Sequence, residues 1–255
     1  MSFEPAWLAL REPADAAARD PALLAAAAAQ LGGGLAIDLG CGTGATVRAF
    51  AGAGRWRLVD RDRRLLAVAA ARCPAAELVE ADLAATDRLP LDGVALVTAS
   101  ALLDLVSEAW VEALAGRLAA ARVGLYAALS YDGAMAWDAP LPEDAAVVAA
   151  FNRDQRRDKG LGPALGPDAP AALARAFGRR GYAVRAAPSP WRLGPAEAAL
   201  QAALIEGIAA AAAETGVATR AWRQARLAAS AAGRASVGHV DLLALPSRAQ
   251  SKITS

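Results

Sequence analysis

The segment Ala36-Ile37-Asp38-Leu39-Gly40-Cys41-Gly42-Thr43-Gly44 narrows the folds open to this chain more than any other. A short apolar run enters a turn with three alternating glycines, and a helical pattern follows. Glycines in such a turn adopt positive φ at no steric cost and let a ligand approach the backbone. Gly40, Gly42 and Ala45 also satisfy a loose G-x-G-x-x-A dinucleotide pattern. Asp38 separates the readings. A carboxylate two residues before the first glycine repels a pyrophosphate and attracts a cationic ligand.

Apolar runs alternate with helical patterns through the first 130 positions, which predicts βαβ units and a parallel sheet. Strands are expected over 34–39, 56–59, 77–80, 94–98 and 123–129, with helices over 45–53, 63–72 and 108–121 between them. Asp62 and Ser107 are placed to cap the latter two helices, accepting their orphan N–H groups. The alternation breaks at 132–169, which is rich in proline and glycine. A structureless loop of that length is foreign to a compact domain, so a helix is expected near 142–157. Order resumes with a helix over 171–180 and a strand over 182–187. Helices over 196–213 and 218–231 follow, with Gly216 at the end of the first, and then a strand over 239–245. Helices over 7–19 and from Pro21 precede the sheet. The expected organisation is N-terminal helices in 1–33 and one domain in 34–245. Insertions at 132–169 and 195–236 would form a lid, and 246–255 a flexible tail.

Composition removes several classes of chemistry. The chain has one histidine, His239, and two cysteines, Cys41 and Cys73. These cannot supply the three or four ligands of a His/Cys zinc site, and no metal is expected. A Ser-His-Asp triad would need His239. Two unclustered cysteines fit a reducing cytosol. No membrane span is evident: the longest uncharged early stretch, 21–37, is mostly alanine and poor for a bilayer, which wants about 20 strongly apolar residues, and no basic segment opens the chain as in a signal peptide. A cytoplasmic protein without membrane partners is expected. The net charge of +1 argues against a general nucleic-acid surface. Its distribution is uneven. Residues 1–169 carry 15 Arg and 1 Lys against 22 acids, or −6, and residues 170–250 carry 10 Arg against 4 acids, or +6. Solvated arginine-bearing helices and a basic wall facing an anionic substrate both fit that split, and the second makes an anionic small-molecule acceptor the expectation.

Asp60 ends the second strand, 20 residues after Gly40. A carboxylate there can accept both ribose hydroxyls of a nucleoside, and Arg61 would lie beside that nucleoside. Taken together, Asp38-Leu39-Gly40-Cys41-Gly42-Thr43-Gly44 resembles the first motif of the class I S-adenosylmethionine-dependent methyltransferases at every defining position. The resemblance implies a Rossmann-like, doubly wound α/β fold. Its seven-stranded, mostly parallel sheet would have an antiparallel last strand and an added helical lid. It implies S-adenosyl-L-methionine as cofactor and methyl transfer to a small-molecule acceptor. Gly40, Cys41, Gly42 and Gly44 would pack against the cofactor and Asp38 would contact its amino-acid end. The same resemblance gives Asp82 the adenine amino group and the Leu83 N–H a ring nitrogen.

Ser100, after the fourth strand, should border the methionine part of the cofactor, and Asp104 can orient an acceptor hydroxyl or amine. This stretch lacks the Asn/Asp-Pro-Pro-Tyr string of nucleobase and protein-amide N-methyltransferases. Tyr131 follows the fifth strand at the same edge. Asn152, Gln155 and Lys159 lie in a segment of unusual polar density, and Trp191 closes the sixth strand. All are candidates for acceptor contact, with Asp104 and Tyr131 as the candidates for catalysis. His239 reads as a structural histidine within a strand, and Cys41 as a small residue that fits the turn. An RNA methyltransferase, an idle S-adenosylmethionine- or S-adenosylhomocysteine-binding regulator and an NAD-dependent oxidoreductase stand as alternatives.

Overall fold

Two proline-led helices precede the sheet in a computed structural model that describes residues 3–247. In α1 (Pro5–Ala18) and α2 (Pro21–Leu31) the proline sits in the first turn, where its missing N–H costs nothing. Asp20 caps α2 by accepting the Leu23 N–H at 2.7 Å. Then follow β1 (Leu35–Leu39), α3 (Ala45–Ala49), β2 (Arg55–Asp60), α4 (Arg63–Arg72), β3 (Glu77–Glu80) and β4 (Val94–Ser100). The next elements are α5 (Glu108–Ala121), β5 (Gly124–Trp137), α6 (Asp144–Gln155), α7 (Ala169–Gly178), β6 (Tyr182–Pro188) and β7 (Trp191–Leu193). The last are α8 (Ala198–Ala213), α9 (Arg220–Ala229) and β8 (Ala235–Pro246).

The strands form one sheet in the order β3-β2-β1-β4-β5-β8-β6, with β7 paired to β8. β1 to β5 are parallel, and β8 runs antiparallel to β5, β6 and β7. The chain starts in the middle, moves out to β3, then crosses back to place β4 on the other side of β1. That reversal opens a crevice at the carboxyl ends of β1 and β4, where such sheets bind ligands. Alternate strand residues feed opposite faces. Val59 and Val97 pack with Leu114, Leu118 and Phe177 under α5 and α7. Their neighbours Leu58 and Leu96 pack with Leu23, Leu31 and Leu66 under α2 and α4.

The α/β class, the parallel core and the antiparallel strand match the sequence expectation. Several boundaries differ. The sheet has eight strands rather than seven, because Trp191–Leu193 pairs with the start of β8. β5 continues to Trp137, where Met135, Ala136 and Trp137 pair with Val237, Ser236 and Ala235. Residues 132–137 are therefore strand and not lid, and β8 begins at Ala235 rather than 239. α3 stops at Ala49, because Ala51, Gly52 and Gly54 all take positive φ. Gly54 is required there: a Cβ would lie 2.5 Å from Leu31 Cδ2. Most of the expected tail lies outside the described residues.

The helices α6, α8 and α9 share a core of their own, built from Val147, Ile205, Ile208, Ala212 and Trp222. Asp144 fixes α9 to α6 by accepting the Trp222 indole N–H at 2.8 Å and pairing with the Arg226 guanidinium. Pro195–Ala213 is long and apolar enough by composition to cross a bilayer. In the fold, Leu200, Ile205, Ile208, Ala209 and Ala212 of this helix are buried in the protein interior.

Candidate active site

The glycine turn sits at the crevice between β1 and β4. Gly40, Gly42 and Gly44 have φ of +62°, +54° and +81°, so each position requires the left-handed conformation that glycine adopts freely. Asp60, at the end of β2, holds the turn in place. One of its oxygens accepts the Gly42 N–H at 2.9 Å and the other accepts the Asp62 N–H at 3.0 Å. Asp62 caps α4 through the Arg64 N–H at 2.8 Å, as its spacing predicts.

A cleft of about 160 Å³ opens above this turn. Gly40, Cys41, Gly42, Asp60, Arg61, Asp82, Leu83 and Ser100 line it, so eight of the ten expected cofactor residues converge. Asp82 and Leu83 come from the end of β3. Asp82 accepts the Ala84 N–H at 3.0 Å, and the Leu83 carbonyl accepts the Trp110 indole N–H at 2.7 Å. Asp38 and Gly44 are not on the wall. Asp38 is 1% exposed beneath the turn and accepts the Thr98 hydroxyl at 2.7 Å. Burial raises its carboxyl to about 6, against the opposing pull of Thr98 and Arg19. Gly44 faces Cys73, whose Sγ would lie 2.9 Å from an added Cβ. The Cys41 thiol is pushed far up by burial and by Asp38 and Asp60, so it stays protonated.

A second cavity of about 510 Å³ adjoins the cleft. Phe3, Arg11, Ala101, Leu105 and Lys159 line both. Asp104, Tyr131, Gln155, Lys159 and Trp191 line the larger cavity, so five of the six expected acceptor contacts are brought together. Asn152 stands one step behind. Its Oδ1 accepts the Tyr131 hydroxyl at 2.7 Å and its Nδ2 donates to the Gly133 carbonyl at 3.0 Å. Lys159 is tied to Asp154 at 2.7 Å. Asp104 is 9% exposed, its Oδ1 is buried without a hydrogen-bond partner, and burial raises its carboxyl to about 6. Burial drives the Tyr131 phenol up, with Asp132 and Asp104 adding to the effect, so Tyr131 is not ionised near neutral pH. Among the described residues, no group of three or more His, Cys, Asp or Glu side chains is placed to hold a metal ion.

Three features escaped the sequence reading. First, α1 covers both spaces. Phe3, Leu8, Arg11 and Asp15 line the cleft, and Phe3, Trp7 and Arg11 line the cavity. Leu8 lies so close over the turn that a Cβ on Gly42 would be 3.0 Å from its Cδ1, which narrows the cleft. The spacing of Trp7, Arg11 and Asp15 at four-residue intervals on one helix face was the available signal. Second, Arg19 is 6% exposed, and its Nη2 donates to Ser100 Oγ at 2.9 Å. Its Nη1 is buried without a partner. Third, His239, packed against Tyr131 and Trp191, also lines the larger cavity and leaves Nδ1 without a partner. Burial, followed by Arg11, lowers it to about 3, so it is neutral.

The basic half of the chain does not form a wall. None of the described arginines in 170–247 lines the cleft or the cavity. Arg179 and Arg180 pair with Glu112, Arg223 with Glu206, and Arg226 with Asp144. The charge split therefore reflects arginine-bearing helices rather than an anion site.

Comparison with known proteins bears on the fold. A candidate methyltransferase of Bacillus halodurans C-125 superposes with a TM-score of 0.54 at 14% identity, over 89% of this chain and 99% of that one. The YcgJ protein of Bacillus subtilis gives 0.52 at 12% identity, over 90% and 100%. The magnesium protoporphyrin IX methyltransferase of Synechocystis PCC 6803, with bound S-adenosylmethionine, gives 0.45 at 15% identity, over 95% and 80%. No curated protein matches the chain by sequence. Residues 36–123 match the family model of a methyltransferase domain. That match runs from β1 past the end of α5 and takes in the glycine turn, the acid that ends β2 and the acid that follows β3, so this part of the chain is similar to a methyltransferase domain.

Proposed function

We propose that the cleft binds S-adenosyl-L-methionine and that the adjoining cavity binds a small-molecule acceptor, which is methylated by in-line displacement. The observation that carries this is the shared wall: Ala101 and Leu105 line both spaces, and Asp104 of the same segment lines the larger one. The chemistry of the cleft fits the cofactor. Asp60 offers carboxylate lone pairs to a ribose diol beside backbone that approaches closely at Gly40 and Gly42. Arg19 stands behind the wall and holds Ser100, which lines the cleft, through its Nη2. Asp38 acts through the fold beneath the turn rather than by contact.

When bound, the cofactor supplies a methyl group already activated by its sulfonium. The protein's task is then alignment and exclusion of water. α1 serves the second purpose by covering both spaces, and α6 and α8 wall the cavity through Phe151, Leu204 and Ile208. The insertions at 138–169 and 195–234, together with α1, are thus read as one lid.

The test is a methyl-transfer screen over small carboxylates, phenols, amines and thiols, with formation of S-adenosylhomocysteine as the readout. Turnover with at least one class, dependent on Asp60, is expected. Binding of NAD without binding of S-adenosylhomocysteine would overturn the reading.

A further inference from the structure

The charge balance of the larger cavity points to its occupant, on the reading of the site given above. Its ionisable wall residues are Arg11, Asp104, Tyr131, Asp154, Lys159 and His239. Two cations and one acid are already matched. Arg11 donates to both oxygens of Asp15 at 2.8 and 3.0 Å, and Lys159 donates to Asp154 at 2.7 Å. The Tyr131 hydroxyl donates to Asn152. His239 is neutral and adds no positive charge.

Of these charged groups, Asp104 alone forms no ion pair with a described residue, and Arg11, already held by Asp15, acts on it only through space. The Asp104 Oδ1 is buried without a partner in a cavity whose uncharged wall is Gln155 together with Trp7, Phe151, Trp191, Met135 and aliphatic side chains. A carboxylate held that way is costly unless something brings it positive charge or a donor. The aromatic walls add to the case, because ring faces attract cations. An anionic acceptor would meet the same carboxylate as a repulsion.

We propose that the acceptor is a largely apolar amine, held as its cation by Asp104 between the aromatic walls and methylated on nitrogen. In the step, a proton passes from the ammonium to the Asp104 carboxylate. The freed nitrogen lone pair forms the bond to the methyl carbon. The carbon–sulfur bond breaks and its electron pair stays on sulfur. The positive charge lost by the sulfonium reappears on the methylated nitrogen, still beside Asp104, which releases its proton to solvent as product leaves. His239 Nδ1 provides one further hydrogen bond for a second polar group on the acceptor.

The experiment is calorimetric titration of the whole chain, saturated with S-adenosylhomocysteine, against three matched probes. These are 2-(2-naphthyl)ethylamine, 2-(2-naphthyl)ethanol and 3-(2-naphthyl)propanoate. The amine should bind at least about tenfold more tightly than either partner, a difference of about 1.4 kcal/mol. In Asp104→Asn that preference should fall below about threefold, with affinity for S-adenosylhomocysteine retained as the check of folding. Equal or tighter binding of the alcohol or the acid would overturn the amine assignment, as would a preference that survives in Asp104→Asn. The wild-type comparison decides the matter even if the variant does not fold. Failure to bind S-adenosylhomocysteine at all would instead overturn the reading of the cleft.

Discussion

The indole N–H of Trp191 donates to Oδ1 of Asp15 at 2.9 Å, joining side chains 176 positions apart. The same carboxylate holds Arg11, whose guanidinium lies over the Trp191 ring at 4.9 Å. One acid therefore ties α1 to the sheet and neutralises a cation on the cavity wall. Trp191→Phe loses the indole N–H and leaves a smaller ring at a buried position, so a stability loss of about 1–2 kcal/mol is expected. In a chain of this size each kcal/mol lowers Tm by roughly 2–4 °C. Asp15→Ala should cost more, about 2–3 kcal/mol, because it leaves Arg11 and the indole N–H without their acceptor. Thermal unfolding of the two variants checks the order.

Asp60 bears on both the turn and the cleft. Asp60→Asn keeps one acceptor oxygen but loses the charge and one of the two backbone hydrogen bonds. Affinity for S-adenosylhomocysteine should fall by about tenfold or more, corresponding to one strong hydrogen bond to a charged group. Calorimetry measures it. An unchanged affinity would show that Asp60 shapes the turn without touching the nucleoside.

Gly44 separates packing from binding. It is off the cleft wall, yet an alanine there would combine φ of +81° with a Cβ 2.9 Å from Cys73 Sγ. Gly44→Ala should lower stability by about 1–3 kcal/mol through strain. Shrinking the neighbour in a Gly44→Ala/Cys73→Ala double variant should recover part of that loss, as denaturant unfolding would show.

The strand–turn–helix unit was legible because its demands are local. Positive φ at Gly40, Gly42 and Gly44, the acid that ends β2 and the acid that follows β3 are fixed by neighbours in sequence. The cavity was only half legible. Asp104, Tyr131 and Trp191 could be placed at the strand edge by topology. Trp7 and Arg11 could not, since nothing local says that α1 folds back over β7. His239 lies buried within a strand as expected, but its place on the cavity wall was not legible, since only the pairing of Tyr131 with His239 across β5 and β8 brings both to one cavity. The arginine excess misled in the other direction, because its partners Glu112, Glu206 and Asp144 lie on other helices.

The buried acids predict a pH dependence with a definite sign. Asp104 is raised to about 6 from an ordinary 3.8. The folded state therefore holds its proton more tightly than the unfolded state between those values. Its contribution is fully favourable below about 3.8 and is lost as pH rises through 6. Asp104→Asn should then stabilise the chain at pH 8, on the order of 1–3 kcal/mol, with the advantage vanishing near pH 4. His239 runs the other way: lowered to about 3, it contributes stability above about 6.5 that is lost as pH falls towards 3. Thermal unfolding of Asp104→Asn and wild type between pH 4 and 8 checks the sign.

The central claim is that the glycine-turn cleft holds the methyl-donor nucleoside. The most direct measurement is calorimetric titration of the whole chain with S-adenosylhomocysteine, with NAD as the competing ligand. The account predicts one S-adenosylhomocysteine per chain, bound without displacement by NAD and weakened about tenfold or more in Asp60→Asn. Stoichiometric binding of NAD with no heat from S-adenosylhomocysteine would contradict it.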